Sequence, residues 1–396
     1  MQSLATREKF DPQSYETQLL SALGQCSSLA EKNNRELVSF FLSLTSNGNL
    51  DSVITEDESP LVLVPRLLPR PKLSAYLNLF SKFSNPKALY ATETLRALYV
   101  GLLSHPDRSL QNVSLSCLLS YKSPALRSQE EKFRSLLDDT NWRDELTTLN
   151  INELEQNDRK EIVDVLIRLL FGKMLEKRGR ARGADRRAAI LTALASCDDE
   201  ELGLLIELML KPLGLDRTSS ITADSVKVDL DMLSEKQQTG FLTLLGDVLK
   251  NLGARLRRYW PALITAVVIL VTHAHKKVAG SSDSGPSLEG ELEGSVHQDD
   301  EDEEKDDEPA ASSHPTKGYR SIRQLGLKRL ADFFRCPVYF DFAPFLESSF
   351  PSFISPRLVS LDKENSQALQ LYWSYSSPGP KMINMSPISS ICPLFH

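Results

Sequence analysis

Residues 162–174, IVDVLIRLLFGKM, decide the fold class. Val163, Leu166, Ile167, Leu170 and Met174 recur at i, i+3, i+4, i+7 and i+11, the spacing of one face of an α-helix. Ile162, Val165 and Leu169 form a second apolar face, and a helix that is apolar on two sides has to lie between neighbours.

The same rhythm runs outward in both directions. Phe241, Leu244, Leu245, Val248 and Leu252 repeat it, as do Leu202, Leu205, Ile206 and Met209. The latter helix reads as capped by Ser196, with Asp199 three residues on, Glu200 and Glu201 at the positive end of its dipole, and Pro212 after its end. Further helices are expected over 29–44, 72–83, 86–103, 108–121, 126–137, 185–195, 255–275 (with Pro261 as a kink or break) and 321–334. No strand run or hairpin signal stands out, although Leu61–Val64 is ambiguous. The chain therefore reads as all-α. Short helices, two-sided apolar faces and a length of 396 residues point to a HEAT/armadillo-like α-solenoid of stacked helix pairs, with an irregular helical bundle as the alternative.

Charge is distributed unevenly. The chain counts 46 Lys+Arg against 53 Asp+Glu, a formal charge of −7. Residues 283–308 alone hold 13 acids and one base, Lys305, and include the run DDEDEEKDDE at 299–308; the remainder is net +5. Like charges at that density repel and stay solvated, so a disordered acidic linker is expected over 278–318. Helical regions are expected over 1–150 and 151–277 before it and over 319–373 after it, with an unstructured tail over 374–396. The five cysteines include no CxxC pair, which favours a reducing compartment over a disulfide framework or zinc site. The N-terminus lacks an apolar signal core, and the strongest apolar run, 262–272, is shorter than the ~20 residues that span a bilayer. A soluble intracellular protein without a membrane role is expected.

No phosphate-binding glycine loop, dinucleotide fingerprint, nucleophile elbow or zincin helix is present. Neither a catalytic site nor a cofactor, metal or small-molecule substrate is expected. His273 and His275 sit on nearly opposite faces of a helix and supply too few convergent metal ligands. The one segment that stands out is 173–187, KMLEKRGRARGADRR. It holds Lys173, Lys177, Arg178, Arg180, Arg182, Arg186 and Arg187, with Gly179 and Gly183 making its middle a flexible loop between two helices. Guanidinium groups fork onto phosphate oxygens, so the segment reads as an RNA-phosphate contact or a nuclear-localisation cluster. A solvated loop that binds nothing is the alternative. Weaker basic groups are Arg255, Arg257 and Arg258, and Arg320, Arg323, Lys328 and Arg329.

Three blocks carry a resemblance: DVLIRLLFGKMLEKRGRARGADRRAAILTALASCDDEELGLLIELMLKPL (164–213), EKQQTGFLTLLGDVLKNLG (235–253), and SIRQLGLKRLADFFRC with FAPFLESSFPSFISPRLVSLDKENSQA (321–336 and 342–368). They resemble the HEAT-repeat family of small-subunit processome component twenty, also called "down-regulated in metastasis". The resemblance implies a nucleolar or nuclear scaffold of stacked helical repeats, associated with a snoRNP and active in pre-ribosomal RNA processing and small-subunit assembly. It implies pre-ribosomal RNA, snoRNP and other processome proteins as partners, and no catalytic residues. Family members are far longer, so the chain is expected to match an internal portion, and the family pattern stops after Trp373. A helical-repeat adaptor of another class, a transport receptor or phosphatase scaffold, is the alternative function.

Overall fold

The computed structural model describes residues 12–45, 68–176, 180–220, 230, 233–281 and 315–345. Leu61–Val64, the acidic run at 299–308 and the tail lie outside the described residues. Among those described, none is in a strand, and fifteen α-helices form two compact units, Met1–Leu208 and Met209–His396. Residue 150 falls inside the first unit.

In the first unit, α1 (Pro12–Gln25), α2 (Ser27–Lys32) and α3 (Asn34–Thr45) precede α4 (Arg70–Phe80), and α1 packs on α4. Their core is aromatic: Phe41 lies 5.0 Å from Tyr76 and meets Phe80 edge-on at 5.2 Å, ring centre to ring centre. Then α5 (Thr92–Leu102) pairs with α6 (Arg108–Leu119), α7 (Pro124–Ser128) leads into α8 (Glu130–Leu137), and α8 pairs with α9 (Trp142–Thr148). The long α10 (Gln156–Leu175) touches α5, α6, α7, α8 and α11 (Arg180–Leu194). Its two apolar faces are both used: Ile162, Val163, Val165, Leu166, Ile167, Leu169 and Leu170 are all buried. Each such Leu contributes about 2–5 kcal/mol against truncation to Ala. Helix α12 (Asp199–Leu210) follows, tied to α10 by the Arg159–Glu201 pair.

The close approach of α6 to α10 depends on a glycine. A Cβ at Gly172 would lie 2.3 Å from Gln111 Nε2 and 2.6 Å from the His105 carbonyl oxygen. With that space open, buried Gln111 donates to the Leu103 carbonyl at 2.7 Å and the Leu169 carbonyl at 3.1 Å. Two backbone acceptors are thereby satisfied where water cannot reach.

In the second unit, α15 (Pro315–Arg335) packs along both α13 (Glu235–Leu252) and α14 (Trp260–Ser281). A capping box starts α13: the Ser234 hydroxyl accepts from Gln237 N–H, and the Gln237 side chain accepts from Ser234 N–H. Fully buried Trp260 donates Nε1 to the Gly253 carbonyl at 3.0 Å and meets Phe333 edge-on at 5.3 Å. Helix α14 is long and apolar enough to cross a membrane by length and composition, yet Leu263, Val267, Leu270 and Val271 are buried in the protein. It is the core helix that the run at 262–272 announces.

The all-α reading holds. Neighbouring helices pack in pairs, α5 with α6, α8 with α9, α10 with α11 and α14 with α15, as in an α-solenoid of stacked helix pairs. Several boundaries differ. The helix expected over 86–103 is broken, because Ala91 takes a left-handed φ of 50° before α5. The one expected over 126–137 divides at Gln129 into α7 and α8, and the one over 29–44 divides at Asn33. Ser196 does not cap α12: its hydroxyl donates back to the Ala193 carbonyl, and the helix starts at Asp199 with Glu201 reaching the Asp198 N–H at 2.7 Å. Pro261 opens α14 rather than bending it, at a position where its missing N–H costs nothing. The segment expected as linker is helical at both ends, since α14 runs to Ser281 and α15 starts at Pro315.

Candidate nucleic-acid interface

Folding breaks up the basic segment 173–187. Lys173 is buried on the last turns of α10, its ammonium 5.2 Å from the centre of the Trp142 ring on α9. Arg186 is equally buried. Its Nη1 lies 3.1 Å from Glu176 Oε2 and its Nη2 donates to the Glu176 carbonyl, folding α11 back onto the end of α10. Both residues are thus engaged inside the protein rather than presented together on one exposed loop. The supposed loop is also shorter, because Arg180, Arg182 and Gly183 already belong to α11. Arg187 is half-buried on that helix, and Lys177 and Arg178 lie outside the described residues.

The weaker basic groups divide in the same way. Arg323 is buried on α15. Arg320 and Lys328 are exposed on that helix, and Arg257 and Arg258 are exposed on a single 3-10 turn, Arg257–Tyr259, between α13 and α14. Arg255 and Arg329 are brought together in one cleft of about 610 Å³ between the C-terminal ends of α13 and α15. Lys250 and Arg335 line it too, with Asp247, Asp332, Asn251 and Cys336.

Two glycines line this cleft, Gly246 on α13 and Gly253 just past its end. A Cβ at Gly246 would overlap the Arg329 guanidinium, 1.4 Å from Nη1, and one at Gly253 would lie 2.9 Å from Cys336 Sγ. Arg329 therefore lies across the α13 backbone and holds Asp332 at 3.3 Å, while Arg335 approaches the other oxygen of Asp332 at 3.6 Å. Four bases against two acids leave the lining net positive, an arrangement able to hold an anion through charge-assisted hydrogen bonds. Lys250 and Arg335 were not singled out from sequence. Their signal was position, since each sits in the last turn of its helix, where a base complements the dipole.

A second cleft, about 420 Å³, lies in the first unit among Lys87, Glu93, Arg96, Tyr121, Lys122 and Glu161. Its charges are nearly balanced and internally engaged: Glu161 accepts from Ser123 at 2.7 Å and from Arg96 at 3.4 Å, and Lys122 donates to the Ser84 carbonyl. Burial, chiefly, raises the Tyr121 hydroxyl pKa. Among the described residues no group of three or more His, Cys, Asp or Glu is placed to hold a metal ion.

Comparison with known proteins supplies the family. A family model described as "U3 small nucleolar RNA-associated protein 20, N-terminal" matches residues 68–374. U3 small nucleolar RNA-associated protein 20 of Schizosaccharomyces pombe is 25% identical over 365 residues, 90% of this chain and 13% of that protein. Its namesake in Saccharomyces cerevisiae is 22% identical over 316 residues, 76% of this chain and 12% of that protein. The chain thus spans a small part of these curated relatives, and the likeness reaches well upstream of residue 150. The family match extends over most of the chain and over all three blocks that carried the resemblance, so the chain belongs to the U3 small nucleolar RNA-associated protein 20 family.

Proposed function

We propose that the chain is a non-catalytic scaffold segment of the small-subunit processome, supporting pre-rRNA processing and small ribosomal subunit assembly in the nucleolus by binding proteins and RNA. The observation that carries this reading is the family match over residues 68–374, to relatives named for association with U3 small nucleolar RNA. Two features of the chain agree with it. Stacked helix pairs offer a long surface made of many small faces. Outside residues 283–308 the charge is net +5, and Arg257, Arg258, Arg320, Lys328 and the α13–α15 cleft present part of it to solvent. Such contacts bind phosphate without reading base sequence.

The test is the affinity of the full chain for U3 RNA and pre-rRNA segments over a range of salt. Several phosphate contacts give an affinity that falls steeply and linearly in log–log form, by about 0.7–0.9 per contact. Undetectable binding, or binding indifferent to salt, overturns the RNA part of the proposal.

A second reading, a helical-repeat adaptor for protein segments, is favoured by the exposed apolar side chains Tyr15, Leu19, Leu29 and Phe40 on α1 to α3. It expects protein partners that compete at those residues and little salt-sensitive RNA affinity.

A further inference from the structure

We infer that the cleft between the C-terminal ends of α13 and α15 is a phosphodiester-binding site for RNA. The inference rests on the RNA reading above and assigns it to one place. Lys250 sits on the last turn of α13, Arg255 three residues beyond its end, and Arg329 and Arg335 on the last turns of α15. A base at a helix C-terminus has a sufficient reason in the dipole. Four bases converging on one concave volume of about 610 Å³ exceed that reason, and the volume lies within the range, about 300–1,000 Å³, of sites that take small ligands.

The internal pairing leaves capacity for an incoming anion. Asp332 serves two arginines at once, at 3.3 Å and 3.6 Å. The longer of these exceeds hydrogen-bond range. Arg335 holds it with a side chain 58% exposed, so its guanidinium can turn to an outside oxygen. Arg329 is held instead, 11% exposed and laid across Gly246, and its Nε is buried without a hydrogen-bond partner. One fixed and one mobile guanidinium, with Lys250 and Arg255 on the opposite wall, form a fork for a tetrahedral phosphate. A polymer of phosphates gains further from counterion release at each contact, which a single carboxylate does not.

The experiment measures fluorescence anisotropy of a fluorescein-labelled 12-nucleotide single-stranded RNA with the full 396-residue chain, its Lys250→Glu/Arg335→Glu variant and an off-cleft control of equal charge change, Arg127→Glu/Lys132→Glu. The cleft variant is expected to bind about tenfold more weakly than the control, with a salt slope shallower by about one to two. Unchanged melting temperatures accompany that result, and Lys250→Gln/Arg335→Gln replaces the reversal if it fails to fold. Wild-type binding lost equally in cleft and control variants overturns the cleft while leaving the RNA reading intact. No wild-type binding overturns the RNA reading itself. A labelled oligoglutamate peptide that binds more tightly than the RNA, and depends on Lys250 and Arg335, reassigns the cleft to an acidic protein.

Discussion

The Arg159 guanidinium meets the Glu201 carboxylate through two parallel hydrogen bonds, Nε to Oε1 at 2.7 Å and Nη2 to Oε2 at 2.9 Å, tying α10 to the first turn of α12. Its third arm donates to the Ile151 carbonyl at 2.8 Å. The arginine is almost fully buried, and without Glu201 its only carboxylate neighbour among the described residues is the exposed Asp198, 3.6 Å from Nη2. Glu201→Ala is expected to destabilise the first unit by about 3 kcal/mol, because a poorly paired buried cation, not the lost attraction, sets the cost. Urea unfolding checks it; a change below about 1 kcal/mol, as for exposed pairs, contradicts it.

Arg186 and Lys173 are expected to behave as structural cations. Arg186→Ala leaves Glu176 and the α10–α11 turn without their link and lowers stability by about 3 kcal/mol. At permissive temperature the same variant leaves the salt slope of RNA affinity unchanged. A slope shallower by about one, with unchanged melting, would return Arg186 to the phosphate-contacting set.

Gly172→Ala sets two effects of opposite sign against each other. Alanine favours a helix interior by about 1 kcal/mol. Its Cβ would fall 2.6 Å from the His105 carbonyl, which is backbone, and would expel Gln111 from the two carbonyls it serves. Overpacking and the lost buried hydrogen bonds together cost about 2–4 kcal/mol, so a net loss of stability is expected. A melting temperature that rises would show the contact to be soft.

The start of α6 gives a pH dependence. Asp107 caps it, accepting from Ser109 N–H at 2.8 Å, and pairs with Arg70. Partial burial pushes the Asp107 carboxyl up, but the Ser109 hydrogen bonds and the Arg70 charge outweigh it and hold the pKa below the ordinary carboxylate value. His105 is pushed down chiefly by burial, and its Nδ1 accepts from Asp107 N–H at 2.9 Å. A depressed carboxylate contributes stability that is whole above its unfolded pKa of about 3.9 and drains as pH falls through the folded value. A depressed histidine adds a loss of the same sign below about pH 6.5, where the unfolded chain takes the proton first. Stability is therefore expected to decline on acidification in two steps, with Asp107→Ala removing the lower step and costing about 1 kcal/mol at neutral pH. Equal pH profiles for the variant and the parent would refute it.

How much the sequence disclosed follows from the range of the interaction involved. The two-faced α10 was legible because periodicity is local, and burial of Ile162 through Leu170 follows from it. Helix ends were less legible: Ser196 reads as the cap of α12 from sequence, but the helix starts at Asp199 with Glu201 reaching the Asp198 N–H. The burial of Lys173 and Arg186 was illegible for a non-local reason. Composition registers Lys173 and Arg186 as charge, but Trp142 and Glu176 are neighbours only after α9, α10 and α11 have packed. The α13–α15 cleft was hidden likewise: Lys250 and Arg335 are 85 positions apart in the chain and line one volume only after α13 and α15 have packed, with Gly246 admitting the Arg329 guanidinium.

The central claim is that this chain contacts RNA through exposed bases of its helical surface. Ultraviolet crosslinking of the full chain to U3 RNA and pre-rRNA, with the attached peptides identified by mass spectrometry, tests it most directly. The account expects crosslinks concentrated in residues 246–258 and 320–337, fading as salt rises. A chain that crosslinks to no RNA, or whose crosslinks avoid both stretches, would contradict it.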